Sequence, residues 1–235
     1  MSKAIKLLID SDIYNSFFTI FLSFLINAFN LKTYLLAQNT VMGKDMEMST
    51  EKLVVGLAGM PGAGKSVVVN VAVKMGYGVV VMGDVVREEA AKRRLEPTPE
   101  NLGKIMLELR EKEGNNVIAK RCVSKIEKAK EQKVIVDGVR SLSEVEEFKK
   151  HFPKFTLIAV HASPETRFKR LYHRGRSDDP KNFEVFHERD MRELSVGLGK
   201  AIAMAEHIII NEEKLETVKE KIREVLEKVE RKWMR

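Results

Sequence analysis

Apolar residues along this chain fall into short runs, separated by longer segments in which they recur every three or four positions. The runs are Leu53–Ala58, Val79–Met82, Lys133–Val136, Thr156–Val160 and His207–Ile210. Gly59, Gly83, Asp137 and Asn211 follow four of them. Runs this short and this apolar suit strands buried on both faces of a parallel sheet. The segments Asn116–Glu131 and Leu215–Trp233 have helical spacing and many Glu/Lys pairs. In the second, Leu215, Val218, Ile222, Val225, Leu226 and Val229 share one face, leaving the charged residues on a solvated opposite face. The alternation predicts an α/β fold, a five-stranded parallel sheet with helices on both faces.

One stretch breaks that pattern. Ile13–Leu31 is 19 residues without a charge, bounded by Asp12 and Lys32. As a helix it would just cross a bilayer core of about 30 Å. Asn15, Ser16, Thr19, Ser23 and Asn27 dilute it, and each makes insertion less favourable. Three readings compete: a marginal signal anchor, a helix docked on its own domain, and a dispensable translated extension. Met46 and Met48 stand just before the first strand, as a native start would, which favours the last. The expected organisation is an extension over residues 1–47 and one α/β domain over residues 48–235.

Composition changes this picture in two ways. Of 235 residues, 44% are hydrophobic and 32% charged, enough for a core and too apolar for a disordered polyelectrolyte. The single cysteine, Cys122, excludes an internal disulfide or a multi-cysteine zinc site, so a reducing compartment, the cytoplasm, is expected. Membrane association would come only through residues 13–31. The net charge is +7, yet residues 1–47 carry four lysines against four acidic residues. All the excess positive charge therefore belongs to the domain from residue 48 onward.

The strongest candidate chemistry is Gly59-Met60-Pro61-Gly62-Ala63-Gly64-Lys65-Ser66, which satisfies G-x-x-x-x-G-K-[ST] between a strand and an apolar-periodic helix. Its glycines let backbone N–H groups close around phosphate oxygens, and the helix N-terminus adds partial positive charge. Lys65 is expected to reach the β- and γ-phosphates of a bound nucleotide, and the Ser66 hydroxyl to hold Mg²⁺. The loop makes a nucleoside triphosphate and Mg²⁺ the expected cofactors.

In open α/β sheets ligands bind beyond the carboxyl ends of the strands. The second strand delivers Gly83-Asp84-Val85-Val86-Arg87 to that end, and the third delivers Asp137-Gly138-Val139-Arg140. Asp137 directly after an apolar strand suits a Mg²⁺ ligand. Arg87 and Arg140 offer guanidinium forks for a second anionic group. Asp84 would either cap a helix or act as base toward an acceptor hydroxyl. Arg167, Arg170, Arg174 and Arg176 then fall within ten residues, with Arg189 and Arg192 beyond, and Gly175–Pro180 breaks the helix between them. This segment reads as a lid closing cations over a migrating phosphoryl group. Arg174 and Arg176 beside the hinge are the expected catalytic pair; Arg167 and Arg170 are expected on a helix surface. His173 and His187 fit no metal spacing, and Lys92-Arg93-Arg94 has no aromatic interleaving of the kind single-strand binding uses.

The loop, the Gly83-Asp84-x-x-Arg87 element and the Asp137-Gly138-x-Arg140 element together resemble adenylate kinase and other nucleoside monophosphate kinases. Val139 stands where a proline is usual, and Ser66 supplies a hydroxyl that adenylate kinases often lack. The segments Arg170–Arg174 and Ala205–Asn211 resemble dephospho-coenzyme A kinase. Over about residues 51–230 the chain is similar to an archaeal family of P-loop kinase-like proteins whose members begin just before the first strand. The resemblance implies a P-loop NTPase fold with a small lid, and acceptor phosphate binding at Arg87 and Arg140. The resulting expectation is a Mg²⁺-ATP-dependent kinase. Its acceptor would be small and phosphorylated, a nucleoside monophosphate or a dephospho-coenzyme A-like molecule. The alternative is a nucleotide-dependent switch or slow ATPase acting on RNA or protein; a domain that binds nucleotide without turnover is a third reading.

Overall fold

The computed structural model describes residues 52–176 and 179–233. The apolar stretch and the extension over residues 1–47 lie outside the described residues. Strand β1 (Leu53–Ala58) leads into helix α1 (Lys65–Lys74), and β2 (Gly78–Val81) runs directly into α2 (Met82–Lys92). Helices α3 (Pro99–Glu113) and α4 (Val117–Lys128) precede β3 (Lys133–Asp137) and α5 (Leu142–His151). Then come β4 (Phe155–His161), α6 (Pro164–Arg174), α7 (Phe183–Ser195), α8 (Leu198–Ala203), β5 (His207–Ile210) and α9 (Leu215–Trp233).

The strands form one sheet in the order β2-β3-β1-β4-β5, and every pairing is parallel. Strand β1 is therefore central. Because side chains alternate across a strand, its residues divide between two cores. Leu53, Val55 and Leu57 join Val68, Val71 and Ala72 of α1 and Val218, Ile222, Leu226 and Val229 of α9. Val54 and Ala58 face the opposite core, built with residues of α2, α3, α4, α5 and α8. Gly56 also faces that side, where an added Cβ would stand 2.7 Å from the Phe155 ring. Its missing side chain leaves room for Phe155 to stack on Phe148, centroids 5.7 Å apart.

All five predicted strands are present within a residue or two. One boundary matters for function. The second run stops at Val81, and Met82, Gly83 and Asp84 form the first turn of α2 instead of a loop. Local capping sets the helix starts nearest the cleft. Ser141 and Glu144 make a capping box at α5, Ser163 caps α6 and Asn182 caps α7. Among the described residues no helix is long and apolar enough to cross a membrane.

Candidate functional site: a phosphate loop facing arginines

The loop between β1 and α1 turns at Gly62 and Gly64, both in left-handed conformations (φ 82° and 95°). A Cβ at Gly62 would come 2.8 Å from the Arg167 carbonyl, and one at Gly64 only 2.0 Å from Asn211 Nδ2. Both positions thus require glycine for conformation and for space. Met60 and Ala63 close the turn, the Ala63 amide donating to the Met60 carbonyl at 3.0 Å. Helix α1 begins with no side-chain cap and no acidic residue in its first turn, so its leading N–H groups remain for an anion. Lys65 Nζ folds back to donate to the Gly59 carbonyl at 2.5 Å.

This loop opens onto a cleft of about 790 Å³. Pro61, Gly62, Gly64, Lys65 and Ser66 line it. Gly83, Arg87, Asp137 and Arg140 line the same cleft, at the strand ends. Arg170, Arg174, Arg176 and Arg189 reach it from α6, α7 and the intervening segment. With Arg192, seven arginines and Lys65 thus line one cavity against Asp137, Glu193 and Glu213, an excess of positive charge that suits anionic occupants.

Two ionisable groups at its floor are perturbed. Burial pushes the Lys65 ammonium below its ordinary value, and Asp137 opposes that shift. Burial likewise pushes the Asp137 carboxyl up, with Lys65 and Arg140 pulling it back. Asp137 Oδ1 is buried without a hydrogen-bond partner. A buried orphan carboxylate oxygen, with the Ser66 hydroxyl on the same cleft, fits a hard cation with oxygen ligands. The glycine turns and uncapped helix end fit a polyphosphate. When bound, Mg²⁺ would supply charge neutralisation between phosphate oxygens.

Arg140 is held by a small buried network. Glu144 is fully buried and accepts from the Arg140 amide at 2.7 Å, the Ser141 amide at 3.2 Å and Arg110 Nη2 at 2.7 Å. That carboxylate fixes the turn after β3, from which Arg140 reaches Glu193 of α7, Nε to Oε2 at 2.9 Å. Arg174 is braced by Asp179 through Nε at 2.9 Å and Nη2 at 2.5 Å, and the Arg176 amide donates to the same carboxylate at 3.0 Å. These donors hold the Asp179 carboxyl below its usual range.

Three expectations need correction. Asp84 does not line this cleft: it lies on the first turn of α2, half exposed, paired with Arg87, and borders a shallow groove beside strand β2. The early start of α2 explains this, because the helix turn directs position 84 away from position 83. Arg167 is not a surface residue but 4% exposed, forked onto Asp190 at 2.8 and 2.6 Å, with Nη1 also donating to the Pro61 carbonyl at 3.2 Å. Arg170 lines the cleft, with Nη1 buried and unpartnered.

Sequence reasoning also missed Asn211, which is 5% exposed. Its Nδ2 donates to the Ala63 carbonyl at 2.8 Å, and its own carbonyl accepts from Arg170 Nη2 at 2.9 Å. Thus the end of β5 ties the loop to α6. A polar residue closing an apolar strand run was the available signal.

This is the architecture of a P-loop NTPase of the kinase-like kind, and residues 58–187 match the family model described as an AAA domain. More particularly, the chain belongs to the archaeal UPF0200 family. It is 48% identical over 178 residues to a UPF0200 protein of Hyperthermus butylicus, covering 76% of this chain and 95% of that one. It is 49% identical over 179 residues to one of Methanocaldococcus jannaschii, covering 75% and 90%. Among solved structures it is similar in fold to TT1252 from Thermus thermophilus (TM-score 0.53, 17% identity, 76% of this chain and 98% of that one). Shikimate kinase from Bacteroides thetaiotaomicron is similar to the same degree (TM-score 0.52, 17% identity, 74% and 98%). At those identities the likeness is one of fold.

Proposed function

We propose that this protein is a cytoplasmic Mg²⁺-ATP-dependent kinase, transferring the γ-phosphoryl group of ATP to a small phosphorylated acceptor. One observation carries the reading. The cleft that receives the phosphate loop, Lys65 and the orphan Asp137 oxygen also receives Arg87 and Arg140 from the two neighbouring strand ends. A switch or simple ATPase has no need of that second cationic end.

In this reading Gly59–Ser66 holds the triphosphate through backbone N–H groups. Lys65 leaves the Gly59 carbonyl to neutralise β- and γ-oxygens, and Ser66 and Asp137 are the side chains that would hold Mg²⁺. Arg170, with its buried free N–H, completes the donor side. Arg87 and Arg140 bind and orient the acceptor. Arg174 and Arg176 close over the migrating phosphoryl group and exclude water. The kinase unit is residues 48–235, and residues 1–47 are a separate extension.

The test is direct. Purified protein is incubated with ATP, Mg²⁺ and a panel of nucleoside monophosphates and dephospho-coenzyme A, and both ADP and phosphorylated acceptor are measured. Acceptor-dependent ADP in equal amount to new phosphorylated product supports the kinase. ADP without such product, especially if RNA stimulates it, overturns it.

A further inference from the structure

Resting on the reading of Gly59–Ser66 as the donor's phosphate site, we infer that Arg167 and Asp190 are positioning residues. Their buried pair couples the filling of the phosphate loop to the placement of α7, the helix that carries Arg189, Arg192 and Glu193 to the cleft.

The Arg167 guanidinium stands at a junction of three elements. Nη1 donates to the Pro61 carbonyl of the loop at 3.2 Å and to Asp190 Oδ1 of α7 at 2.8 Å. Nη2 donates to Asp190 Oδ2 at 2.6 Å, and Nε to the Ala162 carbonyl, just after β4, at 3.2 Å. Phe186, about one helical turn before Asp190, lies under the guanidinium, 4.9 Å from its ring centroid. Arg167 and Asp190 are both buried, at 4% and 8% exposure.

Such a pair adds little net stability, because desolvation offsets its attraction. What it adds is fixed geometry. A guanidinium is planar and rigid, so Pro61 and Asp190 cannot shift independently without breaking a hydrogen bond in a buried site. The loop also presses on α6 directly, since Gly62 packs against the Arg167 backbone where no Cβ would fit. An anion that draws the loop amides around itself therefore fixes Pro61 and Gly62, and the Arg167 fork passes that constraint to Asp190. Arg189 is the residue before Asp190, and Glu193, three residues after it, holds Arg140 at 2.9 Å. Direct contacts thus run from the loop through Arg167, Asp190 and Glu193 to Arg140 at the end of β3. Donor phosphates and the residues that reach the cleft from α7 are brought into register by one side-chain pair.

Hydrogen exchange read by mass spectrometry tests this on the full chain, with and without Mg²⁺ and a saturating non-hydrolysable ATP analogue, AMP-PNP. In wild type the analogue should slow exchange of the Gly59–Ser66 amides and, by about fivefold or more, those of α7. Asp190→Asn removes the charge and one of the two oxygens that the fork grips. Arg167→Lys keeps the charge but has no fork, and serves as the gentler change should Asp190→Asn fail to fold. In both variants the loop amides should stay slowed while the slowing across α7 falls below about twofold. Asp190→Glu, which keeps a carboxylate, should recover part of it. A merely structural pair would speed exchange of α7 with and without the analogue and leave the ratio between the two unchanged, which overturns the inference. Wild-type protein in which the loop is slowed and α7 is not overturns it as well. Both of those outcomes leave the phosphate-loop reading intact. If the analogue slows neither region in wild type, that reading itself fails and the inference falls with it.

Discussion

The two halves of the cleft are built by different means. One is the phosphate loop, eight consecutive residues with glycine where a side chain would collide. The other gathers Arg87 from α2, Leu102 and Met106 from α3, Arg140 from the turn after β3 and Glu193 from α7. A backbone-made site is tolerant of its surroundings but unforgiving of a Cβ. A side-chain site depends on which neighbours hold each charge, and here those neighbours are Glu144, Glu193 and Asp84.

Four substitutions would break or sharpen that contrast. Gly64→Ala forces a side chain onto Asn211 and into a left-handed φ. At about 1–3 kcal/mol for the strain and a similar clash cost, Mg²⁺-ATP affinity should fall by about two orders of magnitude. Titration with a fluorescent ATP analogue checks this, and wild-type affinity would mean that the loop is not the donor site. Asn211→Asp replaces the donor facing the Ala63 carbonyl with a second acceptor while keeping the contact to Arg170. An effect of about tenfold on ATP affinity, with little change in Tm, is expected by calorimetric titration. If Tm falls instead and affinity holds, Asn211 supports the sheet and not the loop.

Asp137→Asn tests the floor of the cleft. Because burial raises the folded-state pKa of Asp137, its ionisation opposes folding at neutral pH. The amide should stabilise the free protein by on the order of 1 kcal/mol, or roughly 2–4 °C in Tm, while impairing Mg²⁺-dependent turnover. That gain should be full above the folded-state pKa. It should vanish as pH falls to the ordinary carboxylate range, where wild-type Asp137 is protonated in both states. Melting curves across pH read it directly, and a gain that grew on acidification would contradict the burial argument. Asp84→Asn should do least. It removes only the half-exposed partner of Arg87, itself outside the cleft, so steady-state turnover should change by less than about twofold. A large loss would mean that Asp84 swings into the cleft during the cycle.

The same contrast explains what the sequence made legible. Strands buried on both faces leave uninterrupted apolar runs, and all five could be read from them. The loop announces itself because its chemistry needs fixed residues at fixed spacing. The arginines could be counted but not assigned. Nothing local distinguishes Arg167, which is consumed by Asp190 twenty-three residues later, from Arg170, which keeps a free N–H at the cleft. Asn211 could be seen closing a strand run but not assigned, since its contact with Ala63 is distant in sequence, as is the contact of Glu193 with Arg140. Asp84 was misread because a one-residue difference in where β2 ends places it on a helix turn.

Lys65 carries a consequence for protein chemistry. Its amine is withdrawn from water and pressed against a carbonyl, and burial eases loss of its proton. A larger fraction of it is therefore the neutral, nucleophilic form than for a lysine in solvent. An acylating reagent small enough to enter the cleft should modify this lysine ahead of the many on the surface, and a bound nucleotide should shield it. The lysine of the phosphate loop is thus also the protein's natural handle for a covalent label.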